Sequence, residues 1–388
     1  MQVENIRLMN FRNHADTSLL FGSGVNIILG DNGQGKTNII ESISCLCLTK
    51  SFYAAADATL VRLGEESFQL DGTFSSDAES KFAVKLLYSA SQGSKVFTVN
   101  SERMERLSSA IGLFPVVILS PEHNRITLGG PSDRRRFMDM VLSQLSRTYF
   151  DDLLEYRQIL RQRNRILAEA KQRGALHRDI LEPWNHGLSK YGSRIIYRRQ
   201  LFIRDFREYV AHSYANLVDV DEPPSIGYVS IHDVEKTQGS KAIEEELLKE
   251  IARKQQEEVR RGVSLVGPHR DDVVFLLNGV DLQKYASQGQ HKTFLIALKV
   301  AEFFYLKEKK EETPVLLLDD VLSELDETRS TKLLNHIGGL GQTILTTTND
   351  TPQGMVSQWG DEHRKFHVKQ GTCRPIRVGA INKAAIGA

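Results

Sequence analysis

The segment Gly30-Asp31-Asn32-Gly33-Gln34-Gly35-Lys36-Thr37 fits the pattern G-x-x-x-x-G-K-[ST], and it restricts the fold more tightly than any other stretch. Its glycines let successive backbone N–H groups turn toward phosphates with no Cβ in the way. Lys36 supplies a cation near the β- and γ-phosphates, and the Thr37 hydroxyl is placed to ligate Mg²⁺. Such a loop needs a buried strand before it and a helix after it. Both flanks are present: Val25-Asn26-Ile27-Ile28-Leu29 is a short apolar run, and Ile39, Ile40, Ile43, Leu46 and Cys47 fall at helical spacing. A chance match in a chain of this length is on the order of one percent at average glycine usage. The alternative is a glycine-rich turn that merely caps a helix. The chain is read as binding ATP and Mg²⁺, with Gly30, Asp31, Asn32, Gly33, Gln34, Gly35, Lys36, Thr37 and Asn38 around the phosphates.

Metal binding and hydrolysis need a second, acidic element. Val315-Leu316-Leu317-Leu318 reads as a buried strand that delivers Asp319-Asp320 from its C-terminal end. Asp319 is expected to hold the metal together with Thr37, while Asp320 stands where a base orients an attacking water. A pair of helix N-caps after a core strand is the competing explanation. Ser287-Gln288-Gly289-Gln290 lies about 30 residues upstream of Asp319, just before the strongly helical stretch Lys292–Lys310. A Ser hydroxyl and a Gly N–H at a helix N-terminus form an anion site, although for a bare tetrapeptide a plain N-cap Ser is the more frequent explanation. Its position marks it as an ABC-type signature, placing Ser287, Gly289 and Gln290 at nucleotide. Ser323-Glu324-Leu325-Asp326 would be the matching D-loop, adding Asp326. Signature and phosphate loop face different subunits in that arrangement, so the site closes only in an ATP-bound dimer. Lys36, Asp320 and Ser287 are the candidate catalytic residues.

A length of 388 residues points to about two or three domains. Strand-like stretches occupy Val3–Phe11, Phe68–Phe74, Phe82–Tyr88, Val96–Val99 and Phe114–Leu119. From Arg134 to about Asn216 the chain is helical. Leu153, Tyr156, Leu160 and Leu167 form one apolar seam; Leu188, Tyr191, Ile195, Phe202, Phe206 and Tyr209 form another, giving a short antiparallel arm broken at Gly174. A polar linker at Asp219–Ser225, a Glu-rich helix over Lys241–Arg261, and strands at Val263–Val266 and Val273–Leu277 follow, the last with Asn278-Gly279 as a hairpin turn. Thr343–Thr347 is a further strand. The expected fold is α/β: an ABC-type P-loop ATPase head with an inserted, mainly helical second lobe. Residues 1–120 and 300–388 make the nucleotide-binding lobe I, and residues 121–299 make lobe II with the arm and the signature.

Composition excludes a disulfide framework, since Cys45, Cys47 and Cys373 are the only cysteines and their spacing suits no zinc hook. The start lacks a basic and apolar leader pattern and no apolar run approaches the ~18 residues of a membrane span. A cytoplasmic protein is expected. The net charge of +1 advertises no polyanion partner, but charge is segregated. Between Arg157 and Arg178 seven Lys or Arg stand against Glu169 alone, whereas Asp219–Glu258 carries 11 acids against 5 bases. A basic helical arm meets phosphates without reading bases; a solvated helix face is the equal alternative. Arg134, Arg135, Arg161 and Arg165 are the candidate DNA contacts.

Taken together, these strings resemble the bacterial DNA-repair branch of the SMC-like ABC ATPase family. The resemblance runs from about Ile6 to Asn349. It rests on Asn10-Phe11-Arg12-Asn13, Gly33–Asn38, Ser120-Pro121-Glu122, Gly130-Pro131 and Arg134–Asp139. Gly267-Pro268-His269-Arg270-Asp271-Asp272, Ser287–Gln290 and Leu318–Asp326 complete it. After Lys50-Ser51-Phe52 the family commonly has Arg where this chain has Tyr53. Thr residues replace the switch His of transporter ABC proteins within Ile344–Asn349, leaving Thr347 as the candidate γ-phosphate sensor. The resemblance implies ATP-dependent dimerisation on DNA, slow DNA-stimulated ATP hydrolysis, and action with RecO and RecR at single-strand gaps, where a recombinase is loaded. It implies both duplex DNA and single-strand/double-strand junctions as partners and no membrane.

The competing function is the ATPase subunit of an ABC transporter. That class predicts a fuller Leu-Ser-Gly-Gly signature and a coupling surface for membrane helices, and the long insert between Lys36 and Ser287 disfavours it. A structural SMC head would need far longer coiled coils, and a small-molecule kinase gains nothing from Ser287–Gln290.

Overall fold

The computed structural model describes residues 1–54, 56–173, 180–218, 222–230, 239–322, 330–334, 339–348 and 362–376. The chain divides into two compact units, Met1–His123 with Glu302–Ala388, and Asn124–Ala301. The N-terminal part of the first unit runs β1 (Gln2–Phe11), β2 (His14–Leu20), β3 (Val25–Leu29), α1 (Lys36–Leu48), β4 (Ser67–Ser75), β5 (Lys81–Ser89), β6 (Ser94–Val99), β7 (Glu102–Arg103) and β8 (Val116–Leu119). The second unit follows with α2 (Arg125–Leu128), α3 (Pro131–Leu145), α4 (Arg147–Arg173), α5 (Glu182–Ala215), β9 (Pro224–Val229), α6 (Gly239–Arg261), β10 (Asp272–Leu277), β11 (Val280–Asp281) and α7 (Leu282–Tyr285). Then come α8 (Gln288–Lys310), β12 (Val315–Asp319), β13 (Thr343–Thr347), β14 (Arg364–Lys369) and β15 (Thr372–Ile376).

The first unit holds two six-stranded sheets. One is antiparallel, ordered β2-β1-β4-β5-β6-β7, and its strands alternate buried and exposed side chains as a one-faced sheet requires. The other is ordered β15-β14-β3-β13-β12-β8 and is parallel from β14 to β8. In β3, β12, β13 and β8 every residue is buried, so β8 and most of β3 and β12 read as apolar runs instead of alternating ones, while β13 buries three threonines. Because β13 lies between β3 and β12, the C-terminal ends of all three emerge together. Thr346 pairs in register with Ile28 on one side and Asp319 on the other. Ligand sites of parallel sheets form at such an edge.

The second unit is helical around a small antiparallel sheet, β11-β10-β9. Asn278 (φ 51°) and Gly279 (φ 76°) make the hairpin turn expected from their pairing, since both central positions need the left-handed region. Two sequence expectations fail here. The linker reading of Asp219–Ser225 is corrected at its end: Pro224 opens β9, paired with Leu277. A proline is tolerated there because it starts an edge strand. The expected strand at Val263–Val266 is irregular chain instead. Two of its backbone donors go to side chains, Ser264 N–H to Asn164 Oδ1 (2.7 Å) and Leu265 N–H to Glu258 Oε1 (2.7 Å), and the Val263 N–H goes to the Glu258 carbonyl (3.2 Å), which replaces a ladder.

Candidate nucleotide site

The phosphate loop joins β3 to α1 as the sequence predicts. Gly30, Gly33 and Gly35 take φ of 155°, 77° and 111°. Gly30 and Gly35 are also packed too closely for any side chain. A Cβ would lie 2.4 Å from the Val368 carbonyl oxygen at the first and 2.5 Å from Asn13 Oδ1 at the second. Gly33 meets nothing within 4 Å, so only its backbone conformation calls for glycine. The Lys36 ammonium donates to the Gly30 carbonyl (2.7 Å) and the Asp31 carbonyl (3.0 Å), drawing the loop around itself. Burial lowers the Lys36 pKa, opposed by the carboxylates of Asp320, Asp319 and Asp31.

Across the strand ends, the Thr37 hydroxyl donates to Asp319 Oδ1 at 2.9 Å and the Thr346 hydroxyl to the same oxygen at 2.7 Å. Thr346 Oγ1 also accepts the Asp320 N–H at 2.9 Å. Burial pushes the Asp319 carboxyl up, while the two threonine bonds and Lys36 favour its ionised form. A hydroxyl and a carboxylate converging at this distance are hard oxygen donors of the kind Mg²⁺ takes. Thr37 and Asp319 therefore fit the metal expected of them. Asp320 follows β12 with φ 51°, a left-handed conformation sparsely used by non-glycine residues and enriched where function fixes a side chain.

Three features escaped the sequence reading. The first is Thr346: the neighbouring Thr347 was the expected sensor and is buried on β13, but the hydroxyl on Asp319 belongs to Thr346. The second is a brace behind the loop. Asn13 Nδ2 donates to the Gln34 carbonyl (2.9 Å) and Asn13 Oδ1 accepts from Asn38 Nδ2 (2.8 Å). The Gly371 N–H donates to the Gln34 carbonyl (3.0 Å) and the Gln370 N–H to Gln34 Oε1 (2.7 Å). The turn between β14 and β15 thus grips the loop from about 340 residues away in sequence, which no local pattern announces. The third is Glu41 of α1, fully buried, which takes a two-pronged bond from Arg12 (2.9 Å each) and a hydroxyl bond from Ser51. Ser51 Oγ in turn accepts the Tyr53 N–H at 2.8 Å and leaves the Tyr53 ring exposed. Asp31 and Asn32 lie exposed at the loop's rim.

In the second unit, Ser287 and Gln290 form a reciprocal cap on α8. Ser287 Oγ accepts the Gln290 N–H at 3.2 Å and Gln290 Oε1 accepts the Ser287 N–H at 2.8 Å. Gln290 Nε2 donates to Glu222 (3.1 Å) and the Gly289 carbonyl accepts from Thr293 (2.9 Å). The tetrapeptide is therefore a helix cap, and its serine is exposed. Asp326 and the rest of the expected D-loop lie outside the described residues, as do Gly174 and Asn349.

The candidate DNA arginines separate. Arg134 is buried in a two-pronged pair with Asp272 (2.9 Å each), and Arg135 donates to the Asp271 carbonyl at 2.6 Å. Arg161 and Arg165 stand exposed on α4, Arg165 in a loose pair with Glu169 at 3.3 Å. Arg163, counted in the basic surplus of the arm, contributes no surface charge. It is wholly buried with Glu258 (2.6 Å), Asn185 (2.8 Å) and Ser264 (2.7 Å). His269 is held between Tyr156 and the Ser264 carbonyl, and burial lowers its pKa to about 4. Among the described residues no helix is long and apolar enough to cross a membrane.

The chain matches the family described as RecF/RecN/SMC N terminal domain over residues 2–372. A DNA replication and repair protein RecF from Chloroherpeton thalassium is 42% identical over 364 residues, covering 92% of this chain and 98% of that protein. The protein of the same name from Salinibacter ruber is 39% identical over 375 residues, covering 96% and 91%. Among solved structures, the recombination mediator protein RecF-ATPrS of the RecFOR pathway superposes with a TM-score of 0.89 at 33% identity, over 97% of this chain and 98% of that one. An SmcHead bound to the C-winged helix domain of ScpA shares the fold alone, with a TM-score of 0.54 at 13% identity. Fold and site together define an ABC-type P-loop ATPase head of the SMC-like kind. Within that class the chain belongs to the RecF family.

Proposed function

We propose that the chain is an ATP-dependent DNA-binding protein of recombinational repair. It binds ATP with Mg²⁺, dimerises on DNA in response, hydrolyses ATP slowly, and works with RecO and RecR to load a recombinase at single-strand gaps. The observation that carries the reading is the convergence of Thr37 and Thr346 on one oxygen of Asp319 at the strand ends, beside a glycine loop already closed on Lys36. RecF relatives that cover nearly the whole chain support it.

Lys36 holds phosphate oxygens, and Thr37 with Asp319 holds the metal, which neutralises triphosphate charge when bound. Asp320 orients the attacking water. It is one methylene shorter than the Glu of most ABC ATPases, which suits a slow switch better than a motor. Ser287 serves the nucleotide of a second copy: a hydroxyl that accepts the Gln290 N–H keeps its own hydrogen to donate to a phosphate. Arg157, Arg161 and Arg165 recur every fourth residue on α4, about 6 Å apart along the helix. That spacing makes a ridge suited to a phosphate backbone and indifferent to sequence.

Sedimentation velocity with and without ATP and a gapped duplex tests the proposal. A faster species on adding ATP, and its co-sedimentation with the duplex, is expected. An unchanged single species under all conditions overturns the reading. A transporter subunit would show no response to the duplex.

A further inference from the structure

Behind the glycine loop, three contacts share too few hydrogens. The His14 ring is fully buried at the start of β2. Its Nε2 lies 3.1 Å from the Gly35 carbonyl oxygen and its Nδ1 3.1 Å from Thr17 Oγ1, which in turn lies 2.8 Å from the Gly371 carbonyl oxygen. Both carbonyls can only accept. A neutral imidazole brings one N–H and Thr17 brings one O–H. With the hydrogen on Nε2, Nδ1 needs the Thr17 hydrogen and the Gly371 carbonyl faces a bare oxygen. With the hydrogen on Nδ1, the Gly35 carbonyl faces a bare nitrogen. An imidazolium satisfies all three at once: Nε2–H to Gly35, Nδ1–H to Thr17, and Thr17 O–H to Gly371.

Two influences oppose each other at this ring. Burial lowers the His14 pKa, and the carbonyls of Gly35 and Gly371 raise it. The charged groups on the surrounding elements are largely committed elsewhere. Arg12 is bound to Glu41, Asp16 to Arg7, and Lys36 to the loop carbonyls; Asp31, Lys369 and Arg374 are exposed. A triphosphate seated on the Gly35–Lys36 backbone would add several negative charges close to the ring, and nearby negative charge favours imidazolium.

We propose that His14 is a positioning residue of the phosphate loop, taking up a proton when a nucleoside triphosphate binds and thereby locking the Gly35 carbonyl and, through Thr17, the Gly371 turn. This rests on the nucleotide reading above. The sign follows from linkage. His14 is neutral in the free protein above its lowered pKa and charged in the complex below a raised one. Between those two values affinity rises as the pH falls, by at most about tenfold per pH unit for a single proton.

The test is isothermal titration calorimetry of the full chain with Mg²⁺ and a non-hydrolysable ATP analogue. Buffers of different ionisation enthalpy, run from about pH 6 to about pH 8 across the ordinary histidine range, report the protons taken up. Net proton uptake is expected in the parent chain, its loss in His14→Gln, and a reduced value in Thr17→Val, which removes the acceptor for Nδ1–H. Equal uptake in the parent and His14→Gln overturns the proposal. If His14→Gln does not fold, Thr17→Val decides, together with an NMR titration of the parent His14 ring with and without analogue. An unmoved ring pKa then overturns the proposal. Absence of any binding by the parent chain overturns the nucleotide reading itself, and binding with an unchanged proton count overturns only the role of His14.

Discussion

Arg161 and Arg163 are two residues apart on one helix, yet substituting them should produce opposite phenotypes. Arg163 spends its guanidinium on Glu258, Asn185 and Ser264 at 2.6 to 2.8 Å with neither member of the ion pair exposed. Removing one partner of such a pair leaves an uncompensated buried charge and costs about 3–5 kcal/mol. Arg163→Ala is therefore expected to destabilise the second unit by that amount. Trp184, adjacent to Asn185, reports it in urea unfolding once Trp359 is replaced by Phe. The double variant Arg163→Met, Glu258→Leu should recover part of the loss, since a packed apolar pair replaces buried ions at little cost. Recovery stays incomplete because Glu258 Oε1 also accepts the Leu265 N–H, and orphaning that donor costs about 1–3 kcal/mol. Arg161→Ala leaves the unfolding midpoint unchanged. It weakens DNA binding across sequences and lowers the slope of log affinity against log salt by about 0.9. An Arg163→Ala loss below about 1 kcal/mol would refute the buried-pair reasoning, and an unchanged salt slope in Arg161→Ala would remove that residue from the DNA face.

Lys36→Ala should abolish ATP binding in equilibrium dialysis, because the loop amides alone would face an uncompensated triphosphate; retained affinity counts against this. Ser287→Arg should keep ATP affinity but block ATP-induced dimers, and sedimentation showing normal dimers would contradict it. The Asp271 carboxyl, raised by burial from 3.8 to about 6, is favoured in its protonated form by folding. Its contribution to stability is present at low pH and is lost as the pH rises from 3.8 through about 6. Thermal melts of Asp271→Asn across that window should lack this decline, and identical pH slopes in the two proteins would refute it.

The phosphate loop, its flanking strand and helix, the acidic strand and the Asn278-Gly279 hairpin were legible because each is written in consecutive residues. What stayed hidden depends on partners far away in the chain. Nothing near Gln34 announces that Gly371 will hold its carbonyl, and nothing near Arg163 announces Glu258. The polar, proline-bearing start of β9 concealed a strand whose pairing is decided by Leu277. Thr346 and Thr347 differ by one position in a strand, and one position exchanges the two faces. Composition cannot say which of them meets Asp319; the register of β13 against β3 and β12 does.

That register also explains how Asp319 comes to receive two hydroxyls. The Thr37 hydroxyl gives its hydrogen to Asp319 Oδ1 and keeps its lone pairs free to offer a cation, so the bond and metal ligation are compatible. Held by Thr37 alone, the buried carboxylate would be oriented only from the phosphate-loop side. Thr346 supplies a second bond at 2.7 Å from a strand paired on both sides, and its oxygen simultaneously holds the Asp320 N–H. One side chain therefore fixes Asp319, the proposed metal ligand, and the backbone of Asp320, the proposed water-orienting residue, together. A cation drawing on Asp319 would act on the Asp320 backbone through one shared oxygen, Thr346 Oγ1.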